Sequence, residues 1–354
     1  MATFDISNKA LKLDSADDIK PHLEPLTKST TYTSIHFNGN TIGVPASEYF
    51  ATVLETQKEL EYVNFADIFT SRLLSEIPQA LDALLGALLK LPKLHTVDLS
   101  DNAFGLNTVE PLVKFLRAHL PLQHLILNNN GMGPIAGAQI ADALTELAGK
   151  KEEARKAGQT VPDLESIVCG RNRLEAGSMQ AWAKAYTSLG KVKSVKMTQN
   201  GIRQEGINIL LREGLANCNG LEVMDLQDNT FTVIGGKALA EVVHGWPEIK
   251  EIGTSDCLVS ARGFAAVAKA LAQGKNKKLQ TIRAQYNEID GKGLTELLAA
   301  AEKGGLPELR RVELNGNKFE EDDERAEKLK SILDERREAA GADEDDESWG
   351  LDEL

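Results

Sequence analysis

Cysteine is scarce in this 354-residue chain: Cys169, Cys218 and Cys257 are the whole complement. They are too few and too far apart for a disulfide framework or a zinc site. Reduced, buried thiols are the expectation, as in a cytosolic or nuclear protein. Aromatics make up only 5% of residues against 42% apolar overall, which suits thin repeating layers better than one bulky core. Basic residues are outnumbered, 40 against 53 acids, giving a net charge of −13. That disfavours nucleic acid and anionic membrane as partners, since both reward clustered Lys and Arg. No stretch approaches the roughly 18 apolar residues of a membrane span. The N-terminal MATFDISNKALKLDS lacks a basic segment followed by an apolar one, so no signal peptide is expected. Motifs of self-contained chemistry are missing too: no HExxH, CxxC or GxSxG occurs. GGKA at 235–238 lacks the upstream Gly and the following Ser/Thr of a phosphate loop. The six histidines are scattered; His95 and His124 share a repeat position and read as one strand-face row, not a metal site. An enzyme with its own substrate pocket and its own cofactor or metal is not the expectation.

What the chain does have is a repeat. LHTVDLSDNAFG (94–105) recurs in altered form as L-x-x-L-x-L-x-x-N-x-apolar. Copies start at Leu122, Leu164, Val192, Leu221, Ile249, Leu279 and Leu309, with degenerate ones around Phe37 and from Leu60. The third apolar position falls at 37, 65, 99, 127, 169, 197, 226, 254, 284 and 314, mostly 28 to 30 apart. That period belongs to the long leucine-rich repeat, a strand followed by a helix. The fold class expected is therefore α/β, a right-handed leucine-rich-repeat solenoid of the ribonuclease-inhibitor-like horseshoe type, parallel strands inside and helices outside. The repeat domain spans 1–340 in ten to eleven units, with an N-terminal cap near 4–30. Leu11 and Leu13 read as the capping strand. An acidic tail follows at 341–354, with seven acids and no base from Asp343 on, a composition that reads as disordered.

The spaced apolar residues form the inward side of a short strand. The Asn at motif position nine turns inward and can satisfy backbone groups of neighbouring coils. Asn40, Asn102, Asn130, Asn172, Asn200, Asn229, Asn287 and Asn317 occupy this ladder; Cys257 replaces it once, and Asp67 stands in the degenerate second copy. Helical patterns follow, as in 136–150 and 235–245, and Gly133, Gly177, Gly206, Gly235 and Gly263 are expected where the chain turns into them. Two insertions break the period: FTSRLLSEIP (69–78) and KKEEARKAGQTVP (150–162), the latter read as a helix extension plus a surface loop.

The residues just before each ladder Asn form a polar rim: Gly39, Asp101, Asn129, Arg171, Gln199, Asp228, Asp256, Tyr286 and Gly316. One step earlier stand Asn38, Ser100, Asn128, Gly170, Thr198, Gln227, Ser255, Gln285 and Asn315. Loops are polar simply because they are wet, yet a rigid rim is also how a solenoid presents a binding surface. The repeat alone stops at a protein-binding module.

Specific phrases go further. FTSRLLSEIPQALDALLGALLKLPKLHTVDLSDNAFG, LQHLILNNNGMGPIAGAQIADAL, IVCGRNRLEAGSM, VKMTQNGIRQEGI, LEVMDLQDNTF, SARGFAAVAKAL, AQYNEI and ELNGNKFEEDD resemble the fungal GTPase-activating proteins for the small GTPase Ran, over essentially the whole chain. The resemblance implies a cytoplasmic protein of nucleocytoplasmic transport, a monomer that binds Ran in its GTP state and accelerates hydrolysis. It implies a possible ternary complex with a Ran-binding protein. It implies no arginine finger and no cofactor, the GTP and magnesium belonging to the partner. The family's Asn that contacts the water-positioning glutamine of Ran aligns with Asn129, as the catalytic contact. Arg72 aligns with an Arg the family needs, read as a partner contact. Leu74 departs from the family's Lys. Asp101, Asn128, Arg171, Gln199, Asp228 and Asp256 complete the expected partner-binding set, their acids facing basic patches. The alternative is a non-catalytic interaction scaffold of the ribonuclease-inhibitor type, or a family member that binds Ran without activating it.

Overall fold

A computed structural model describes residues 2–320 and 322–341; the acidic tail from 342 lies outside the described residues. By internal contacts the chain forms two compact units, one ending at Arg173 and the other beginning at Leu174.

The first unit runs β1 (Ala2–Asp5), β2 (Lys12–Leu13), α1 (Ala16–Lys28), β3 (Tyr32–His36), β4 (Thr41–Ile42), α2 (Val44–Leu54), β5 (Tyr62–Asn64), α3 (Ile77–Leu88), β6 (Thr96–Asp98), α4 (Glu110–Leu116), β7 (His124–Ile126), α5 (Gly133–Lys156) and β8 (Ser166–Val168). Its main sheet is parallel, in the order β1-β3-β5-β6-β7-β8. The central residues Phe4, Ile35, Val63, Val97, Leu125 and Ile167 stand in register across it and are all buried. This is the period of the sequence turned into geometry: each coil sets one apolar side chain against the next. The expected capping strand is corrected here. β1 supplies the edge of the main sheet, while Leu13 pairs with Ile42 in a separate two-stranded ribbon, because Phe4 and not Leu13 matches the apolar register of Ile35.

The second unit runs α6 (Met179–Leu189), β9 (Ser194–Lys196), α7 (Gln204–Ile209), β10 (Val223–Asp225), α8 (Thr232–Val242), β11 (Glu251–Gly253), α9 (Ser260–Leu271), β12 (Thr281–Arg283), α10 (Gly291–Glu302), β13 (Arg311–Glu313) and α11 (Glu324–Ala339). Val195, Met224, Ile252, Ile282 and Val312 are its in-register core row. Both units are thus α/β leucine-rich-repeat arrays.

Local sequence explains the helix ends. Ser15 and Asp18 form a reciprocal capping box on α1, and Pro45, Pro78, Pro111 and Pro134 sit in the first turns of α2 to α5, where a missing N–H costs nothing. The helical glycines differ from expectation. Only Gly133 turns the chain, with φ +67°. Gly206, Gly235 and Gly263 lie inside helices, where neighbouring helices touch; a Cβ on Gly206 would meet the Ala176 Cα at 2.8 Å.

The charged insertion at 150–162 is a helix extension and loop, as its composition suggests, but its anchor is a buried cation. Lys151 Nζ donates to the carbonyls of Leu120, Leu122 and Pro162 at 2.7–2.8 Å. Burial, reinforced by Arg155, pushes its pKa down to about 8. The three carbonyls act the other way, because only the ammonium form has three donors. Lys151→Met is expected to lower stability by about 1–2 kcal/mol, the orphaned carbonyls outweighing the relief of desolvation. A urea midpoint unchanged from wild type would count against that anchor.

All three cysteines are buried, and burial pushes their thiols up to about 12. Thiolate chemistry at neutral pH is excluded for them. Among the described residues no helix is long and apolar enough to cross a membrane, and no group of three or more potential metal ligands comes together.

Candidate functional site: the rim and its asparagines

After each of the strands β5 to β12 the chain takes one residue in the left-handed region. In the first unit these are Asp67, Asp101, Asn129 and Arg171, with φ of 50–57°. In the second they are Gln199, Asp228, Asp256 and Tyr286, with φ of 51–58°. Apart from Arg171, these residues donate their N–H groups to carbonyls one coil onward: Asp101 to Asn128 at 2.8 Å, Asn129 to Gly170 at 2.9 Å, Asp228 to Ser255 at 2.9 Å. Asn and Asp adopt this conformation cheaply, whereas Arg171, Gln199 and Tyr286 carry about 1 kcal/mol each, offset at Gln199 and Tyr286 by the coil-to-coil bonds. The reversal has a functional consequence. It turns the rim side chain out and the next one in.

The inward residues form the expected ladder. Asn130 Oδ1 accepts from Asn102 N–H at 2.9 Å, and Asn172 Oδ1 from Asn130 N–H at 2.8 Å. In the second unit Asn287 Oδ1 accepts from both Cys257 and Val259. The buried Cys257 thiol lies 3.3 Å from the Leu226 and Ser255 carbonyls, to which its one S–H can donate. One assignment is corrected. Asp67 is a rim residue, its N–H on the Ser100 carbonyl, and buried Ile68 fills the ladder position. Ile68 offers no amide, but Asn102 Nδ2 still reaches back to the Phe65 carbonyl, as Asn172 reaches back to that of Leu127.

The triplet 128–130 divides its labour accordingly. Asn128 is half-buried and its Oδ1 is taken by Gly170 N–H at 2.7 Å. Asn130 is buried. Asn129 alone is exposed, with Nδ2 donating to Asp101 Oδ1 at 2.8 Å. Asn129 lines an open hollow of about 470 Å³ together with Leu74, Gly105, Leu106 and Thr108. Leu74 and Leu106 are 61% and 54% exposed, an unusual amount of bare aliphatic surface around one amide. The contribution of Leu106 was not read from the sequence. Its one signal was a leucine out of phase with the repeat, in the turn before α4.

Arg72 is placed differently from the reading of it as a partner contact. Its side chain is only 7% exposed and its guanidinium is occupied within the chain. It donates to Asp14 at 2.5 Å, to Thr41 Oγ1 at 2.8 Å and to the Thr41 carbonyl at 3.1 Å. It ties the 69–76 loop, and with it Leu74, to the cap ribbon. Glu76 accepts from Leu73 N–H instead of pairing with it.

Of the other expected contacts, Asp101 and Arg171 are exposed on the rim of the first unit, and Gln199, Asp228 and Asp256 on that of the second. Carboxylates lie near both, half-buried Asp98 in the first and buried Asp225 in the second, and desolvation raises the pKa of each. On the strand face of the second unit Arg283 bridges Glu251 and Glu313, and Arg311 reaches Glu313 at 2.6 Å. His95 and His124 lie edge to face, 6.1 Å apart, as a strand-face pair.

No protein-family model matches the chain. Ran GTPase-activating protein 1 of Saccharomyces cerevisiae is 43% identical over 338 residues, covering 94% of this chain and 82% of that protein. The Ran GTPase-activating protein of Drosophila melanogaster is 34% identical, covering 89% of this chain and 52% of that protein. Ran GTPase-activating protein 2 of Caenorhabditis elegans is 41% identical over 207 residues, 58% of this chain and 21% of that protein.

Proposed function

The chain belongs to the family of Ran GTPase-activating proteins, and we propose that it accelerates GTP hydrolysis on Ran by bracing the partner's water-positioning glutamine with the Asn129 amide. The observation that carries this is the exposed amide of Asn129, held by a left-handed backbone on a rigid rim between a buried neighbour and a tethered one. An amide offers donor and acceptor without charge, so it can grip another carboxamide. Small GTPases use a glutamine to orient the attacking water, and fixing a mobile side chain in its productive geometry removes entropy from the barrier. Nucleotide and Mg²⁺ stay on Ran, and this chain supplies no bond-making group.

The remaining rim residues serve docking. Asp228 and Asp256, on a chain of net charge −13, favour a basic partner and speed encounter in a salt-dependent way. Asn128, Arg171 and Gln199 add uncharged and cationic contacts along the same rims. Arg72 supports the site from behind by holding the Leu74 loop, and is no finger.

Single-turnover hydrolysis of GTP bound to Ran, with and without this protein, is the test. An acceleration of about 10³-fold or more is expected. Binding of Ran-GTP without acceleration would make the chain a non-activating relative; absence of binding would leave a scaffold for another partner.

A further inference from the structure

We propose that Asp101 is a positioning residue that fixes which end of the Asn129 amide faces the partner; its consequence for catalysis rests on the function proposed above. A carboxamide has two faces of nearly equal shape, related by a half-turn about its terminal torsion. Left alone on an exposed rim, Asn129 would present either its oxygen or its nitrogen. Asp101 removes that choice. Its carboxylate only accepts, and Asn129 Nδ2 donates to it at 2.8 Å. The flipped amide would set oxygen against carboxylate oxygen and forfeit a charge-assisted hydrogen bond.

The placement is not accidental to the fold. Both residues are the left-handed residue of their coils, with φ of 57° and 55°. Successive coils stack them side by side, as the N–H of Asp101 on the Asn128 carbonyl shows. Glycine or asparagine in place of Asp101 would also be comfortable in that turn, so backbone geometry alone does not call for a carboxylate. With one Nδ2 proton committed and the amide's orientation fixed, Asn129 presents its Oδ1 away from Asp101. The partner group that oxygen selects is a donor, the –NH₂ of a glutamine side chain, and the second Nδ2 proton remains to donate beside it. That leaves the glutamine's own carbonyl for the attacking water.

Two measurements test this. In ¹⁵N-labelled protein, the Asn129 side-chain amide, identified by its disappearance in Asn129→Gly, should carry one proton displaced downfield, and Asp101→Asn should lose that displacement. An unmoved resonance overturns the orientation whether or not the protein activates Ran. In single-turnover hydrolysis, Asp101→Asn should lower the maximal rate about three- to tenfold. The half-saturating concentration and its salt dependence should stay near wild type. Asp101→Glu should recover most of the rate, since the chain already holds a Glu at a similar positive φ, Glu288 at 60°. A raised half-saturating concentration with an intact maximal rate would make Asp101 an ordinary docking charge. An equal loss from Asp101→Asn in an Asn129→Gly background would show that it does not act through Asn129. Failure of the wild type to activate Ran defeats the proposed function alone, and the amide resonance then decides the orientation.

Discussion

Asn129→Ala is expected to reduce the maximal single-turnover rate of Ran-bound GTP hydrolysis by about 10²-fold or more, the scale on which misplacing one reacting group is felt. The half-saturating concentration should move less than about threefold, because docking is spread over many rim residues and Asn129 supplies one. The substitution has a side effect that must be separated. Asn129 has φ +55°, where alanine costs about 1 kcal/mol relative to asparagine. Asn129→Gly fits the same backbone without that cost and lacks the amide equally. If glycine restored the rate that alanine loses, the backbone and not the amide would be at work. If both variants stayed fully active, the bracing amide would have to be sought elsewhere on the rim.

The neighbouring residue should behave in the opposite sense. Asn130→Ala orphans the Asn102 N–H, since that group's partner is Asn130 Oδ1 at 2.9 Å. The Leu127 carbonyl, to which Asn130 Nδ2 also donates, keeps Asn172 at 2.7 Å. One stranded donor and a small void in a buried ladder correspond to about 2–3 kcal/mol. Asn287→Ala is the harsher case in the second unit. It strands the N–H groups of both Cys257 and Val259, and about 3–5 kcal/mol is expected. Both variants should lower the melting temperature by several degrees, with Asn287→Ala the lower. At a temperature where Asn130→Ala is folded, it should retain most of its effect on Ran. A melting temperature equal to wild type for Asn130→Ala would mean that water replaces the amide in the ladder. The pair 129 and 130, adjacent in sequence, thus dissociates function from stability, and the left-handed residue between strand and ladder is the physical reason.

Arg72 illustrates why a resemblance and a geometry have to be read together. Motif alignment points to a residue the family requires; the structure finds its guanidinium buried against Asp14 and Thr41. Both hold if the requirement is for the loop that Arg72 fastens. Leu74, where the resemblance leads one to expect Lys, is then the exposed tip of that loop, facing the hollow that contains Asn129. A charged tip would meet a partner through water-competent pairing, whereas an aliphatic one can contribute only by being covered. That difference belongs to this chain and not to the repeat.

The repeat, its phase, and the inward or outward sense of nearly every strand and rim residue are legible in the amino-acid order. That order distinguishes Asn129 from Asn130, because a stacked coil writes its geometry locally: apolar spacing marks the inner face and the ladder Asn marks the turn. It failed where the local mark is weak or points elsewhere, as at Ile68, whose copy has no Asn at the ladder position, and at β1, whose Phe4 resembles no full motif. Tertiary structure alone decided the rest: Arg72 on Asp14, 58 residues away, Lys151 on three carbonyls of other segments, and Asp101 on Asn129, 28 residues away. These contacts join side chains on different coils or loops, and a local period sets which way a side chain points without specifying which neighbour its polar atoms will meet.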